Sequence, residues 1–164
     1  QYLSAMNDVI FRHEGTIDKF IGDAVMVLFG APVELSAEDQ ARRACACALD
    51  MQRTMINLQE VFAQAGIPGL TMRIGIHQGD AVVGNFGSQQ RSDYTAIGPT
   101  VNLASRIESA CDPGAVFVSE AVREHLNADA STDAGVQSLK GVDQPQRLFR
   151  LGPHPIQPAG DRPD

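Results

Sequence analysis

The sequence predicts an α+β domain of mixed strands and helices, and three observations carry this prediction. Apolar residues recur at helical spacing over 3–11 and again over 36–66, which predicts two helices. Short apolar or alternating runs around them predict strands. Gly-Asp dipeptides at 22–23 and 79–80 predict tight turns between pairs of these strands. Such hairpins exclude an all-parallel sheet and leave an α+β sandwich with helices on one or both faces.

The first third of the chain shows this alternation clearly. Apolar residues at helical spacing over 3–11 predict a helix that stops at Gly15, and no capping residue precedes it, which favours an N-terminal truncation. Strands are predicted at 16–21 and 24–29. The second is apolar on both faces, so we expect it to be central in its sheet. Ser36 begins the long helix through a capping box.

The remainder of the chain continues the mixture. Helices are predicted from Gly98-Pro99 to 110 and from Ser119 to 126. Residues 127–137 are small and polar and predict a flexible loop. The further strands are predicted at 70–77, 81–85, 94–97, 115–118, 138–142 and 147–151. The proline-rich tail over 152–164 is predicted to be disordered.

Composition narrows the classes of function. The chain has 164 residues with a net charge of -7, which allows one globular core and argues against nucleic-acid binding. No apolar run approaches a membrane span, so this segment is predicted to make no membrane contact. Cys45 and Cys47 diverge on one predicted helix and Cys111 is isolated, which favours buried thiols in a reducing compartment. The histidines lack zinc-ligand spacing.

Three segments carry the functional signal, and a short motif follows them. They are residues 16–30 (TIDKFIGDAVMVLFG), 73–85 (RIGIHQGDAVVGN) and 94–108 (YTAIGPTVNLASRIE), followed by Leu139-Lys140-Gly141. In this order they resemble the class III adenylyl and guanylyl cyclase catalytic domain, in the bacterial-type subgroup that has threonine at position 95. The resemblance implies a ferredoxin-like antiparallel sheet flanked by helices, with residues 1–151 as the catalytic domain and the family's first strand missing upstream.

Asp23 is the candidate metal ligand. A carboxylate at a hairpin tip suits Mg²⁺, which takes few protein ligands and shares the rest with phosphate and water. The Gly-Asp pair alone favours a simple turn residue. The resemblance instead implies that Asp23 is one of two aspartates that hold two Mg²⁺ or Mn²⁺ ions per site. The other belongs to an upstream Phe-x-Asp motif with no match here, so we expect this chain alone to be inactive.

Lys19 and Thr95 are the candidate base-reading residues. Adenine offers an acceptor at N1 and a donor amine at C6, while lysine only donates and threonine can accept. Taken singly, each is an ordinary strand residue. The resemblance implies that the pair reads the base, and family members that use GTP typically carry an acidic residue in place of Lys19.

Asn102, Arg106 and Lys140 are the candidate ribose and phosphate ligands. Asn102 and Arg106 are four residues apart on one helix face, which by itself favours a surface pair with Arg106 bridging Glu108 or Asp112. The resemblance implies that Asn102 orients the ribose and that Arg106 stabilises charge on the α-phosphate in the transition state. It also implies that Lys140 binds the triphosphate.

Together these residues favour an adenylate cyclase that converts ATP to 3′,5′-cyclic AMP and pyrophosphate. The resemblance implies a homodimer with shared active sites, in which Asp23 serves one site and the other candidate residues of the same chain serve the second. The alternatives are a guanylate cyclase and a non-catalytic regulatory dimerisation module. The domain is expected in the cytoplasm, as part of a parent protein with or without a membrane anchor.

Overall fold

The computed structural model describes residues 2–152 and confirms the α+β class. Its helices are α1 Tyr2–Arg12, α2 Ala37–Gln64, α3 Pro99–Ala110 and α4 Glu120–Arg123, with a short 3-10 helix at Ala128–Ala130. Its strands are β1 Thr16–Ile21, β2 Ala24–Leu28, β3 Ile74–Ile76, β4 Val82–Ser88, β5 Arg91–Ile97, β6 Val116–Ser119, β7 Ser131–Gln137 and β8 Gln146–Leu151. The predicted tail over 152–164 lies, apart from Gly152, outside the described residues.

A four-stranded mixed sheet of order β3-β6-β8-β7 forms the centre of the domain. β3 runs parallel to β6, and the β6–β8 and β7–β8 pairs are antiparallel. Two antiparallel hairpins, β1–β2 and β4–β5, form separate two-stranded sheets. No helix among residues 2–152 is long and apolar enough to cross a membrane.

Helices cover both faces of the central sheet. Along β6, Val116 and Val118 pack with α2, whereas Phe117 packs on the opposite face with Ile107 of α3. This alternation follows from the two-residue period of a strand. The third cluster joins α1 and α2 to the β1–β2 hairpin and includes Met6.

The predicted helix boundaries are largely confirmed. Ser36 is the N-cap of α2, and its hydroxyl accepts the Asp39 N–H at 3.1 Å. α3 begins at Pro99, as predicted. The helix after Ser119 begins as predicted but ends at Arg123 instead of 126. The Ser119 hydroxyl does not cap it and instead bonds the His77 ring at 2.7 Å.

Several strand predictions were wrong. β2 is not central, because among the described residues it pairs only with β1; one of its faces packs on α1 and α2 through Val25 and Val27. Residues 70–77 form only the short β3, and the turn at 79–80 does not close a hairpin, since β3 pairs with β6 and β4 pairs with β5.

The predicted loop and the strand after it were also misassigned. Residues 127–137 contain the 3-10 helix and β7, which is the edge strand of the described sheet. Most side chains of β7 are exposed or half-buried, so the strand can be polar. Residues 138–142 form a turn instead of a strand. Leu139 is buried there, and the Val142 N–H donates to its carbonyl at 3.1 Å, which leaves Lys140 exposed.

Gly75 allows α3 to lie directly against β3. A Cβ atom at this position would come within 2.7 Å of Glu108 Cα and 2.9 Å of the Ala104 carbonyl oxygen, and it would also strike the Glu108 nitrogen. These are backbone atoms, so no side-chain rotation relieves the overlap. The close approach fixes the position of the helix that carries Asn102 and Arg106.

We therefore predict that Gly75→Ala destabilises the domain by about 2 kcal/mol, because it forces α3 off the sheet. The measurement is urea unfolding of the purified chain. Gly84→Ala in β4 is the matched control, since the nearest atom to its added Cβ lies 3.9 Å away. Equal free energies of unfolding for the two variants would contradict the close-packing explanation.

Candidate active site

A surface cleft of about 340 Å³ brings three of the predicted residues together. It is lined by Asn102, Ser105, Arg106, Lys140, Gly141 and Val142. α3 supplies one wall, and the turn after β7 supplies the other. Arg106 and Lys140 give the cleft two cationic side chains, although the chain as a whole carries a net charge of -7. Such a pair can hold a polyphosphate.

The structure argues against the surface-pair explanation of Arg106. The two carboxylates considered as its partners pair with other arginines: Glu108 lies 3.6 Å from Arg73, and Asp112 lies 3.9 Å from Arg150. Asn102 and Arg106 are both exposed on α3. Both remain directed to a cleft that Lys140 also lines.

Lys19 and Thr95 meet at a third residue, Asp18. The Thr95 hydroxyl donates to Asp18 Oδ2 at 2.6 Å, and the Lys19 ammonium lies 3.9 Å from Asp18 Oδ1. The Ala96 N–H also donates to Asp18 Oδ2, at 3.3 Å. One carboxylate thus accepts a hydrogen bond from the threonine hydroxyl on one oxygen and has the lysine ammonium near the other, beyond hydrogen-bond distance.

Asp18 occupies the irregular position of β1. Ile17 pairs with Val27 and Lys19 with Met26, so Asp18 is an extra residue in the strand. Such a bulge redirects a side chain. The Asp18 side chain is 1% exposed, whereas that of Lys19 is 48% exposed.

The sequence analysis missed Asp18. The available signal was an acidic residue next to a candidate ligand inside a strand that is otherwise mostly apolar. The bulge that turns this side chain inward depends on pairing with β2, and the contact with Thr95 spans 77 residues of sequence. Neither the bulge nor the contact can be predicted from the residues adjacent to Asp18 in the sequence.

Asp23 lies at the exposed turn between β1 and β2, as predicted. Its neighbour is Tyr2 of α1: burial and, second, the charge of Asp23 raise the pKa of the Tyr2 hydroxyl. Among residues 2–152 no group of three or more His, Cys, Asp or Glu side chains could hold a metal. A single exposed carboxylate still fits Mg²⁺, which is commonly bound by one or two carboxylates together with phosphates and water.

The remaining reactive side chains have structural surroundings. All three cysteines are free and buried, and burial raises the pKa of the Cys47 thiol to about 12. Protonated, buried thiols are poor nucleophiles. Burial also lowers the pKa of His77, whose ring joins the ends of β3 and β6 through Ser119.

Comparison with known proteins identifies a family. The sequence profile of the adenylate and guanylate cyclase catalytic domain matches residues 2–151. Adenylate cyclase 1 of Rhizobium meliloti is 40% identical over 108 residues, which is 66% of this chain and 16% of that protein. The chain therefore spans a small part of this curated relative.

Solved structures show the same fold with both nucleotide specificities. The adenylyl cyclase CyaB from P. aeruginosa superposes with a TM-score of 0.87 at 35% identity, covering 93% of this chain and 79% of that one. The guanylyl cyclase Cya2 superposes with a TM-score of 0.83 at 39% identity, covering 92% and 76%. Overall likeness thus does not separate the two substrates, which individual residues must distinguish.

The cleft generates a binding prediction. Arg106→Gln and Lys140→Gln should each weaken binding of inorganic tripolyphosphate about tenfold, because each removes one charge-assisted contact. Isothermal titration at fixed, low salt measures the dissociation constants. Arg53→Gln, an exposed residue on α2, changes the net charge equally and should leave binding unchanged. If all three variants bind tripolyphosphate equally weakly, its affinity depends only on the net charge of the protein and not on the cleft.

Proposed function

Because the chain belongs to the class III adenylate and guanylate cyclase family, we propose that it acts as an adenylate cyclase. In the proposed reaction the ribose 3′-oxygen of ATP attacks its own α-phosphorus. The bond from the α-phosphorus to the bridging oxygen breaks, pyrophosphate leaves, and the 3′-hydroxyl proton is lost. The product is 3′,5′-cyclic AMP.

The observation that carries the choice of ATP is the pairing of Lys19 and Thr95 on Asp18. Adenine presents an acceptor at N1 and an amine donor at C6, which a lysine donor and a threonine acceptor complement. Guanine presents N1–H and the O6 acceptor, so the lysine ammonium would face an N–H. Thr95 is 7% exposed, so few water molecules compete for its hydroxyl.

The cleft on α3 supports the phosphate chemistry. Arg106 offers a permanently charged donor fork for charge that develops on the α-phosphate, and Lys140 offers a second cation for the triphosphate. Asn102 is assigned to the ribose, which it would orient so that the 3′-oxygen faces the α-phosphorus. The contribution of these residues is positioning and electrostatic stabilisation.

Asp23 is assigned to the metal site. Mg²⁺ or Mn²⁺, two ions per site in this proposal, supplies activation of the 3′-hydroxyl and neutralisation of the triphosphate. The second aspartate of the family motif has no match in this sequence. Two-metal chemistry needs both aspartates, so activity is measured on the full-length protein.

Exposed apolar side chains support a homodimer with shared sites. Both hairpins carry them: Phe20, Ile21, Val82, Val83, Phe86 and Ile97. Exposed apolar surface of this kind favours a protein partner. In addition, the described residues that line the Asn102 cleft include no carboxylate, so a metal ligand at that cleft must come from elsewhere. Asp23 of a second copy meets this need.

Guanylate cyclase activity is the second candidate, since Cya2 is 39% identical. Lys19 argues against it on the donor and acceptor pattern above. The proposed substrate and the free, buried cysteines favour a cytoplasmic location of the domain.

The shared site predicts complementation between two inactive variants. Lys19→Ala and Asp23→Ala homodimers should both be nearly inactive, because each site lacks one group. In a mixed dimer, one site receives both intact groups and the other lacks both. Random exchange makes about half the dimers mixed, so activity should recover toward roughly a quarter of wild type. Cyclic AMP formation after verified subunit exchange is the measurement.

A same-side pair provides the control. Lys19 and Arg106 of one chain are assigned to the same site, so mixing Lys19→Ala with Arg106→Ala leaves both sites defective and should restore nothing. The shared-site arrangement is wrong if the Lys19 and Asp23 variants fail to complement although wild-type protein stays active under the same exchange conditions.

A further inference from the structure

We propose that Asp18 is a positioning residue for base selection: it holds the Thr95 hydroxyl as a hydrogen-bond donor toward the protein, so that the oxygen offers only lone pairs to the nucleotide. This inference rests on the proposed function. It concerns a residue that makes no assigned contact with substrate, and it explains how a threonine, which can donate or accept, acts in one direction only.

The direction of the Asp18–Thr95 hydrogen bond follows from a second donor. The Ala96 N–H points at Asp18 Oδ2 from 3.3 Å, and a backbone N–H can only donate. Oδ2 is therefore an acceptor, and the Thr95 hydroxyl, 2.6 Å from the same oxygen, must be the donor. The Ala96 carbonyl, 3.4 Å from that hydroxyl, is the weaker alternative acceptor. With either acceptor, the Thr95 hydroxyl donates its single proton to the protein and has none to donate to the nucleotide.

This constraint discriminates between the bases. The adenine C6 amine can donate to a lone pair of Thr95, whereas guanine O6 is an acceptor and finds no proton there. A free threonine hydroxyl would rotate and donate to O6. Burial makes the constraint effective, because water has little access to an Asp18 side chain that is 1% exposed.

Asp18 also fixes where Thr95 sits relative to β1. The two hairpins are separate sheets, and the bonds of Asp18 to Thr95 and Ala96 join β1 to β5. The Lys19 ammonium lies 3.9 Å from the other carboxylate oxygen. A purely structural link would predict equal losses with ATP and GTP when Asp18 is changed, whereas base selection predicts unequal losses.

The test is the ratio of kcat/KM for ATP over GTP in the full-length protein. Asp18→Ala frees the Thr95 proton, so the ratio should fall about tenfold. Asp18→Asn should keep it within about threefold of wild type, because the amide oxygen accepts both the Ala96 N–H and the Thr95 hydroxyl. Should Asp18→Ala not fold, Asp18→Ser, which can itself donate to Thr95, should lower the ratio in the same way.

A double-mutant cycle separates this role from a structural one. Thr95→Val has no hydroxyl to orient, so adding Asp18→Ala to it should leave the ratio unchanged, even if both rates fall. Parallel losses for ATP and GTP in Asp18→Ala, or the same fall of the ratio in the Thr95→Val background, would overturn the proposal. A wild-type enzyme that prefers GTP, or turns over neither nucleotide, would instead refute the proposed function.

Discussion

The buried carboxylate of Asp18 is the interaction on which the candidate base site depends. Among the described residues, β1–β2 and β4–β5 are separate sheets, and side-chain hydrogen bonds of Asp18 link β1 to β5. Asp18 does so from a bulge, with hydrogen bonds from Thr95 and Ala96 and the Lys19 ammonium nearby. A buried carboxylate is costly unless it is hydrogen-bonded. The hydrogen bonds from Thr95 and Ala96 offset that cost, and the carboxylate in turn fixes the positions of these two residues.

The second constraint is the arrangement of charge around α3. The protein is acidic overall, yet Arg106 and Lys140 line one cleft. The nearby carboxylates Glu108 and Asp112 pair with arginines outside that cleft. This leaves the cleft cationic at short range, where Coulomb interactions are strongest and least screened. Gly75 contributes by letting α3 lie against β3.

Local signals in the sequence predicted the helices and the position of the turn that carries Asp23. The Ser36 cap, the start of α3 at Pro99 and the turn that presents Asp23 depend on neighbouring residues, so their spacing is readable. The pairing of strands that are distant in the sequence could not be predicted from these local signals. The parallel β3–β6 pair joins segments far apart in the chain, since Ile74 pairs with Val116. Edge strand β7 was missed for another reason, because its sequence STDAGVQ lacks the apolar alternation that predicts a strand.

Asp18 shows the same limit within the site. Its sequence position next to Lys19 was visible, but its function-relevant contact is with a residue 77 positions away. The motifs predicted the residues that we assign to nucleotide contacts. They did not predict Asp18. Its proposed role depends on its contact with Thr95, and a contact between residues 77 positions apart produces no local sequence motif.

The central claim is that this site reads adenine, and the most direct measurement is the substrate preference of the unaltered full-length protein. With Mg²⁺ or Mn²⁺ present, kcat/KM for ATP should exceed that for GTP by about tenfold or more, with 3′,5′-cyclic AMP and pyrophosphate as the products. Equal or greater efficiency with GTP would contradict the claim that Lys19 and Thr95 select the base.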